Sequence, residues 1–287
     1  MRKFAVIDIG SNSVRLMFVA DGKVLYKRLN TTRLGEGLAT SARLKIEAIE
    51  RSANAVKDFY NAAKEEGAEQ VFAFATAAVR FAENGNEFVA RVKMLCGLSV
   101  EVISGEREAE IGITGALGNA DGAVIDIGGA STEIVVRGKG EMIYKKSIDV
   151  GVVRLKDMCG QDFELLKEKA KECARQFGQV PTHLPLYGIG GTATTLGALI
   201  LEMQEYDSNK ITGSVVSVKQ MCDIAEKLSK MSVAEIAVLP CVSQGRADVL
   251  LGGAVWLSIV MQELGFDELI ISDRDNLEGY AICKGWM

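Results

Sequence analysis

The sequence has a single histidine and no pair of cysteines at C-x-x-C spacing. His183 stands between Pro181 and Pro185 in a predicted loop, with no nucleophile signature beside it. The six cysteines are dispersed along the chain, so neither a zinc site nor a redox motif is indicated. Nucleophilic catalysis that depends on histidine is therefore disfavoured, and acid–base chemistry falls to carboxylates.

An excess of basic residues and a long apolar run are also absent. The net charge of −5 argues against non-specific binding to nucleic acid or to acidic membranes. The longest apolar stretch, residues 249–261, is shorter than the roughly 20 residues of a membrane span. The first apolar run stops at Asp8, too early for the core of a signal peptide. We expect a cytoplasmic protein that binds neither nucleic acid nor membrane and holds any polyanion locally.

Length and composition are those of a globular protein with more than one domain. The 287 residues are long for one core, and 48% hydrophobic with 25% charged residues excludes disordered and fibrous chains. Strand-like and helical patterns alternate in both halves, which predicts an α/β fold. We predict two domains, residues 1–118 and 119–287, with a hinge at 118–122 and a ligand cleft between them.

Local patterns divide each half into short elements. Apolar runs predict strands at residues 4–8, 14–19, 24–29, 71–75, 100–103, 123–126, 134–137, 142–147, 184–189 and 268–272. Apolar residues at three- and four-residue spacing predict helices at 41–66, 86–95, 106–118, 162–177, 192–203, 217–231 and 243–264. The helix at 106–118 leads into the second half, so we expect it to lie between the domains.

Two segments of the chain repeat one another. Residues 4–19 (FAVIDIGSNSVRLMFV) match residues 122–136 (GAVIDIGGASTEIVV), and both place Asp-Ile-Gly at a strand end before small polar residues. Gly and Ser turns let the backbone approach a ligand and present N–H and O–H donors to an anion. A carboxylate at the strand end can hold a cation that neutralises the anion. Ordinary hairpins would show similar turn residues, but a matched pair favours a site for phosphate and a divalent metal.

Further motifs complete an ordered series. Residues 188–192 (GIGGT) follow a strand and open a helix, whose N-terminus can contact an anion. Together with residues 8–13 (DIGSNS), 75–80 (ATAAVR), 103–109 (ISGEREA) and 126–133 (DIGGASTE), they resemble the signature of the exopolyphosphatase/guanosine pentaphosphate phosphatase (Ppx/GppA) family. The resemblance covers essentially the whole chain, and it places the protein in the actin-like, sugar-kinase and Hsp70 ATPase superfamily.

The resemblance implies a fold and an activity. The fold is α/β, with two ribonuclease-H-like (actin-like ATPase) domains and a catalytic interdomain cleft. The implied enzyme is a phosphohydrolase that uses Mg²⁺ and in-line attack of water to release terminal orthophosphate. Its expected substrate is inorganic polyphosphate or the phosphorylated guanine nucleotide guanosine pentaphosphate (pppGpp).

The resemblance also assigns the site residues. Glu108 takes the place of the catalytic base, although it could instead belong to a solvated acidic face at the helix start. Arg80 takes the place of a phosphate-binding arginine, although it could instead pair with Glu83 on the surface. The other expected phosphate contacts are Ser11, Asn12, Ser13, Gly128, Gly129, Ser131, Thr132, Gly191 and Thr192. The expected Mg²⁺ ligands, directly or through waters, are Asp126 and Glu133, with Asp8 as a third.

The chain departs from the family pattern at several places. Ala130 replaces the usual third glycine of the second turn and tolerates positive φ less well. Glu110 stands where related chains often carry an arginine, so a positive contact is missing. Residues 272–279 (SDRDNLEG) resemble the family's Ser-Asp-x-x-Leu-Arg-Glu-Gly, but Asn276 and Leu277 replace Leu-Arg. We expect the terminal helix to be kept and a basic contact to be lost.

Two other functions stay open on the sequence. One is an ATP-dependent small-molecule kinase or ATPase of the same superfamily, which would phosphorylate an acceptor. The other is a catalytically idle phosphonucleotide sensor that responds by domain closure. Retention of Glu108, Asp126 and Glu133 speaks against the sensor. The sequence also leaves open the preference between polyphosphate and pppGpp, the chain-length preference and the oligomeric state, a homodimer included.

Overall fold

The computed structural model describes residues 2–38, 41–243 and 245–287 and contains two β-sheets. The first sheet is built from β1 (Lys3–Ile9), β2 (Ser13–Ala20), β3 (Lys23–Thr31), β4 (Gln70–Ala75) and β5 (Val100–Val102). The second is built from β6 (Gly122–Ile127), β7 (Thr132–Gly138), β8 (Glu141–Ile148), β9 (Leu186–Ile189), β10 (Val215–Ser217) and β11 (Glu268–Ile271). All the predicted strands therefore exist in the structure.

Helices alternate with these strands. In the first half they are α1 (Ile46–Glu65), α2 (Ala77–Phe81), α3 (Gly85–Cys96) and α4 (Gly105–Leu117). In the second half they are α5 (Val152–Cys159), α6 (Phe163–Ala174), α7 (Gly190–Ile200), α8 (Ser208–Ile211), α9 (Val218–Ser229), α10 (Val233–Ala237), α11 (Ala247–Leu264) and α12 (Asn276–Cys283). The short helices α2, α5, α8 and α10 have too few turns to produce the periodicity on which sequence prediction depends.

The two sheets share one strand order. It is β3-β2-β1-β4-β5 in the first sheet and β8-β7-β6-β9-β11 in the second, with β10 added at the edge. In both, the first strand pairs antiparallel with the strand of its own hairpin and parallel with a later strand. The sequence repeat is therefore a repeat of the fold. The boundary between residues 118 and 119 stays a prediction; it falls between α4 and the first strand of the second sheet.

Helices α4 and α12 lie between the two sheets. Side chains alternate across a strand, so one face of the first sheet packs against α1 and α3 and the other against α4 and α12. On its opposite side α4 packs through Ala109 and Ile113 onto Val124 and Ile189 of the second sheet. The outer face of that sheet is covered by α5, α6, α7, α9 and α11. Helix α4 thus contacts both halves, as expected.

Helix α11 is the centre of the second core. Within the described residues, Ala247–Leu264 is the one helix long and apolar enough to cross a membrane, but 78% of it is buried inside the protein. Trp256 in its middle is completely enclosed and stacks against Phe177. The length and apolar composition of α11 are therefore accounted for by its place in the core.

Tertiary hydrogen bonds delay the start of α1. The predicted helix began at residue 41, but Lys45 still has an extended backbone and α1 begins at Ile46. The buried side chain of Asn84 accepts a hydrogen bond from Leu44 N–H at 2.7 Å and donates one to Leu44 O at 3.1 Å. These bonds satisfy the backbone of Leu44 without a helix.

Two glycines bring the backbones of α4 and α12 into contact. A Cβ on Gly115 would lie 2.0 Å from the carbonyl oxygen of Asp275, and one on Gly279 would lie 1.8 Å from that of Ile111. No side chain fits at either position without separating the helices. The crossing sets where α12 begins relative to α4, and the first residues of both helices reach the site described below.

We predict that Gly115→Ala destabilises the protein by about 1–3 kcal/mol or more, because overpacking forces the two central helices apart. Gly252→Ala is the matched control, since a Cβ there meets its nearest neighbour, Leu166, at 3.7 Å, an ordinary contact. Urea unfolding of both variants measures the difference. Equal free energies of unfolding would show that the α4–α12 contact does not constrain the fold.

Candidate active site

The turns after β1 and β6 have the same hydrogen bonds and touch each other. Gly10 N–H donates to Ser13 O, and Gly128 N–H donates to Ser131 O, both at 3.0 Å. A Cβ on Gly129 would lie 2.7 Å from the Cβ of Ser11, so only glycine fits where the turns meet. Both turns line one cavity of about 750 Å³, a volume that includes its part open to solvent.

In each turn, a carbonyl oxygen accepts a hydrogen bond from a backbone N–H outside the turn. Gly35 N–H donates to Ser11 O, and Val153 N–H donates to Gly129 O, each at 2.8 Å. Among the described residues, no protein acceptor is found for the N–H groups of Asn12 and Gly129. Such free backbone N–H groups in a turn are suited to binding an anion.

The cavity brings together most of the predicted site residues. Its lining includes Asp8, Ser11, Asn12, Ser13, Glu108, Asp126, Gly128, Gly129, Ser131, Gly191 and Thr192. Arg80 does not line it but contacts Glu108, and Glu133 is near enough to Glu108 to affect its pKa. The exposed His183 is not part of the cavity lining.

Two predicted phosphate donors have hydroxyl groups that are already engaged. Thr132 is fully buried outside the cavity lining; it donates to Val150 O at 2.6 Å and accepts from Trp256 Nε1 at 2.8 Å. Thr192 lines the cavity, but its hydroxyl donates to Ile127 O at 3.0 Å. In this structure both hydroxyls support the second turn and its strand.

Glu108 is a buried carboxylate that reaches the cavity from the first turn of α4. It is 6% exposed, and its Oε2 accepts a hydrogen bond from Arg80 Nη1 at 3.0 Å. Burial and then the charge of Glu133 raise the pKa of Glu108 well above its ordinary value, although Arg80 opposes the rise. Arg80 therefore pairs with Glu108 and not with Glu83, and its second nitrogen, Nη2, is buried without a partner among the described residues.

The duplicated hairpins carry different charges at equivalent positions. Asp8 lies directly across from Arg15, and Asp126 lies directly across from Glu133, so each pair shares one face of its sheet. Arg15 is ion-paired with Asp8 and also with Asp275. The first hairpin is therefore neutralised internally, whereas the second places two carboxylates side by side.

This crowding shifts the titration of the second pair. Burial, followed by the charge of Glu133, raises the pKa of Asp126 to about 8. Burial also raises the pKa of Glu133, against the effect of hydrogen bonds such as that from Ser147, which donates to Oε1 at 2.7 Å. The other oxygen of Glu133, Oε2, is buried and has no partner among the described residues.

These carboxylates fit a partly hydrated divalent cation. The described residues contain no group of three His, Cys, Asp or Glu side chains placed to hold a metal. Mg²⁺ usually retains several waters and takes only one or two carboxylates, so Asp126 and Glu133 are a sufficient donor set. Asp8 fits less well because Arg15 occupies its Oδ2, although its Oδ1 is buried and unpartnered.

The cavity also contains two arginines that the sequence reasoning did not select. Arg15 follows Ser13 by two residues on the same strand face, a signal that was available. Arg246, next to α11, had no such signal; a Cβ on Gly191 would lie 1.8 Å from its Nη1, so the glycine makes room for the guanidinium. Burial lowers the pKa of Arg246 to about 10, and no carboxylate of the described residues pairs with it.

The residues that depart from the family pattern lie in different places in the structure. Ala130 lines the cavity without positive φ, so the expected backbone cost is absent; the turn needs glycine for close approach at Gly129. Glu110 lies outside the cavity lining and accepts a hydrogen bond from Lys145 at 2.9 Å. Leu277 is buried between the sheets, and Asn276 lines the cavity.

Comparison with known proteins identifies the family. The sequence model of the Ppx/GppA phosphatase family matches residues 17–282. Exopolyphosphatase 2 of Mycobacterium tuberculosis is 34% identical to this chain, and the match covers 98% of each protein. The chain belongs to the Ppx/GppA phosphatase family, as its motifs indicated.

Solved structures agree with this assignment. The crystal structure of the Aquifex aeolicus member of the Ppx/GppA family has a TM-score of 0.77 at 30% identity, over 99% of this chain and 97% of that one. An exopolyphosphatase from Cytophaga hutchinsonii has a TM-score of 0.87 at 25% identity, over 100% and 99%. The predicted fold class is confirmed.

We predict that Asp126→Asn stabilises the metal-free protein increasingly as pH rises from about 4 toward 8. In this window folded Asp126 holds a proton that the unfolded chain has released, so the wild type loses up to about 1.4 kcal/mol of stability per pH unit. The variant lacks this loss. Urea unfolding in EDTA at pH 5, 6 and 7 measures the gain, and a gain independent of pH would contradict the raised pKa.

Proposed function

We propose that this phosphatase releases the terminal orthophosphate of inorganic polyphosphate, or of pppGpp, with Mg²⁺ and Glu108 as general base. The observation that carries the proposal is the position of Glu108, a buried carboxylate in the lining of a cavity that both Gly/Ser turns also line. The name of the Mycobacterium tuberculosis relative, exopolyphosphatase 2, supports polyphosphate as the substrate. A cavity lined by Arg246, with which no carboxylate of the described residues pairs, and by turns with free N–H donors supports a polyanionic ligand.

The phosphate oxygens are held by donors from both halves of the molecule. The N–H groups of Asn12 and Gly129 belong to opposite turns that touch, so a single phosphoryl group can bind to both. Arg246 supplies positive charge from the cavity lining, and Arg80 supplies it from beside Glu108, where its Nη2 has no partner among the described residues. An arginine fork matches the geometry of phosphate oxygens, and binding relieves the cost of burying an unpaired cation.

Glu108 accepts the proton that the reaction releases. The oxygen of a water molecule attacks the terminal phosphorus in line with the bridging P–O bond. That bond breaks with its electron pair passing to the shortened chain, and the proton of the water moves to a carboxylate oxygen of Glu108. The raised pKa of Glu108 makes this carboxylate a stronger proton acceptor than an exposed one.

A divalent cation beside Asp126 and Glu133 would offset the negative charge of the bound phosphates. Arg80 has a second role in this scheme, since its hydrogen bond fixes the orientation of Glu108. Positioning and charge stabilisation do most of the work in phosphoryl transfer, so rigid placement of these side chains is the main contribution of the fold.

We predict that Glu108→Gln lowers kcat for phosphate release by about 10²- to 10⁴-fold, because glutamine cannot accept the proton. Glu106→Gln is the matched control, since Glu106 is exposed on the same helix turn and should leave kcat unchanged. Steady-state phosphate release measures both variants, with circular dichroism to verify folding. A kcat of Glu108→Gln equal to that of the wild type would exclude Glu108 as the base.

Substrate preference is tested by measuring phosphate release from long polyphosphate, short polyphosphate and pppGpp, each with Mg²⁺ and with EDTA. We expect metal-dependent release from at least one of the three. Transfer of phosphate from ATP to an acceptor without release from these substrates would instead indicate a kinase. Tight binding without turnover would indicate a sensor.

A further inference from the structure

Asn276 connects the terminal helix to the acidic pair of the second hairpin. It is the first residue of α12 and is 3% exposed. Its Nδ2 donates a hydrogen bond to Asp126 Oδ2 at 2.8 Å. The two residues are 150 positions apart in the sequence, so only the tertiary fold, in which α12 packs against α4 and the first sheet, brings them together.

The position of Asn276 is fixed from several sides. The preceding residue, Asp275, caps α12 through a capping box with Glu278 and is ion-paired with Arg15. A Cβ on Gly112 of α4 would lie 3.0 Å from Asn276 Oδ1, so the glycine leaves the space that the amide occupies. The amide therefore has little freedom to turn away from Asp126.

The other end of the amide has no partner. Asn276 lines the cavity, and its Oδ1 is buried with no hydrogen bond from any of the described residues. Leaving a buried acceptor unsatisfied costs about 1–3 kcal/mol. The leucine of the family pattern at this position would avoid that cost but would leave Asp126 Oδ2 without its hydrogen bond, so it is the bond to Asp126 that explains the amide.

We propose that Asn276 is a positioning residue of the cation site. Its Nδ2 donates to Asp126 Oδ2 and so fixes the orientation of a carboxylate that would hold the divalent cation together with Glu133. The inference rests on the cation site of the proposed function, and it assigns to this chain a contact that the family's leucine cannot make. Residues that hydrogen-bond a metal-ligating carboxylate orient it and tune its affinity for the metal.

Manganese binding to the resting protein tests the proposal without turnover. Mn²⁺ is titrated into the full chain in the absence of substrate, and the free ion is followed by electron paramagnetic resonance. We expect Asn276→Leu to raise the Kd for Mn²⁺ by about 10- to 100-fold, the usual effect of losing a residue that orients a metal ligand. Asn276→Ala should give a similar loss and covers the case in which the leucine variant does not fold.

Asn84→Ala is the matched control. Asn84 is a similarly buried asparagine whose hydrogen bonds go to the backbone of Leu44, away from the cavity. We expect this variant to lower Tm but to keep the wild-type Kd for Mn²⁺. In turnover, Asn276→Leu should need about 10-fold more Mg²⁺ for half-maximal rate and recover most of kcat at saturating Mg²⁺, a split that loss of stability alone would not produce.

Two results would overturn the proposal. One is an unchanged Kd for Mn²⁺ in folded Asn276→Leu and Asn276→Ala, and the other is a wild type that binds no Mn²⁺. Failure of the proposed function is distinct from both. If Mn²⁺ binding depends on Asn276 but no phosphate is released from polyphosphate or pppGpp, the hydrolase proposal fails and the cation-site role of Asn276 stands.

Discussion

The contact between Gly129 and Ser11 is the constraint on which the site depends. It places the turns of two separate hairpins against each other, so that turn residues from both halves of the molecule line the same cavity. The glycine contacts between α4 and α12 hold the same two halves together from between the sheets. Both contacts are made by backbone atoms or by Cβ atoms next to the backbone. The glycines at these contacts therefore cannot be replaced by residues with a side chain. Glu108 therefore reaches the cavity in a defined position.

The electrostatics of the site follow from two hairpins that share one fold but carry different charged residues. The first hairpin sets Asp8 against Arg15, whereas the second sets Asp126 against Glu133. The two hairpins therefore differ in charge. In the first, Asp8 is neutralised by its ion pair with Arg15, whereas the second has two buried carboxylates side by side. Burial of each carboxylate, followed by the charge of Glu133, raises the pKa of Asp126 and of the nearby Glu108. The same burial of negative charge underlies both proposals, a cation at the Asp126–Glu133 pair and Glu108 as the acceptor of a proton.

The sequence was informative where function depends on local backbone. Turns built from Gly, Ser and Asn were recognisable because their chemistry lies within a few consecutive residues, and the structure places them together. Thr132 illustrates the limit of this reasoning, since its hydroxyl faces Trp256, a residue far along the chain. Arg246 and Asn276 illustrate the converse, because each reaches the cavity from a helix that begins far from the repeated motifs. No local pattern distinguishes such residues from others at a helix start.

The amino-acid sequence by itself determined the α/β class, the duplicated hairpins, the family and the central place of α4, because these depend on periodicity and on short ordered motifs. The tertiary structure decided which partner each charge received. Arg80 is bound to Glu108, Arg15 is shared between Asp8 and Asp275, and Asn276 is bound to Asp126. Apart from Arg15 with Asp8, which face each other in one hairpin, these pairings join residues from elements that are separate along the chain. They are set by how the elements pack, and packing depends on contacts that are distant along the chain.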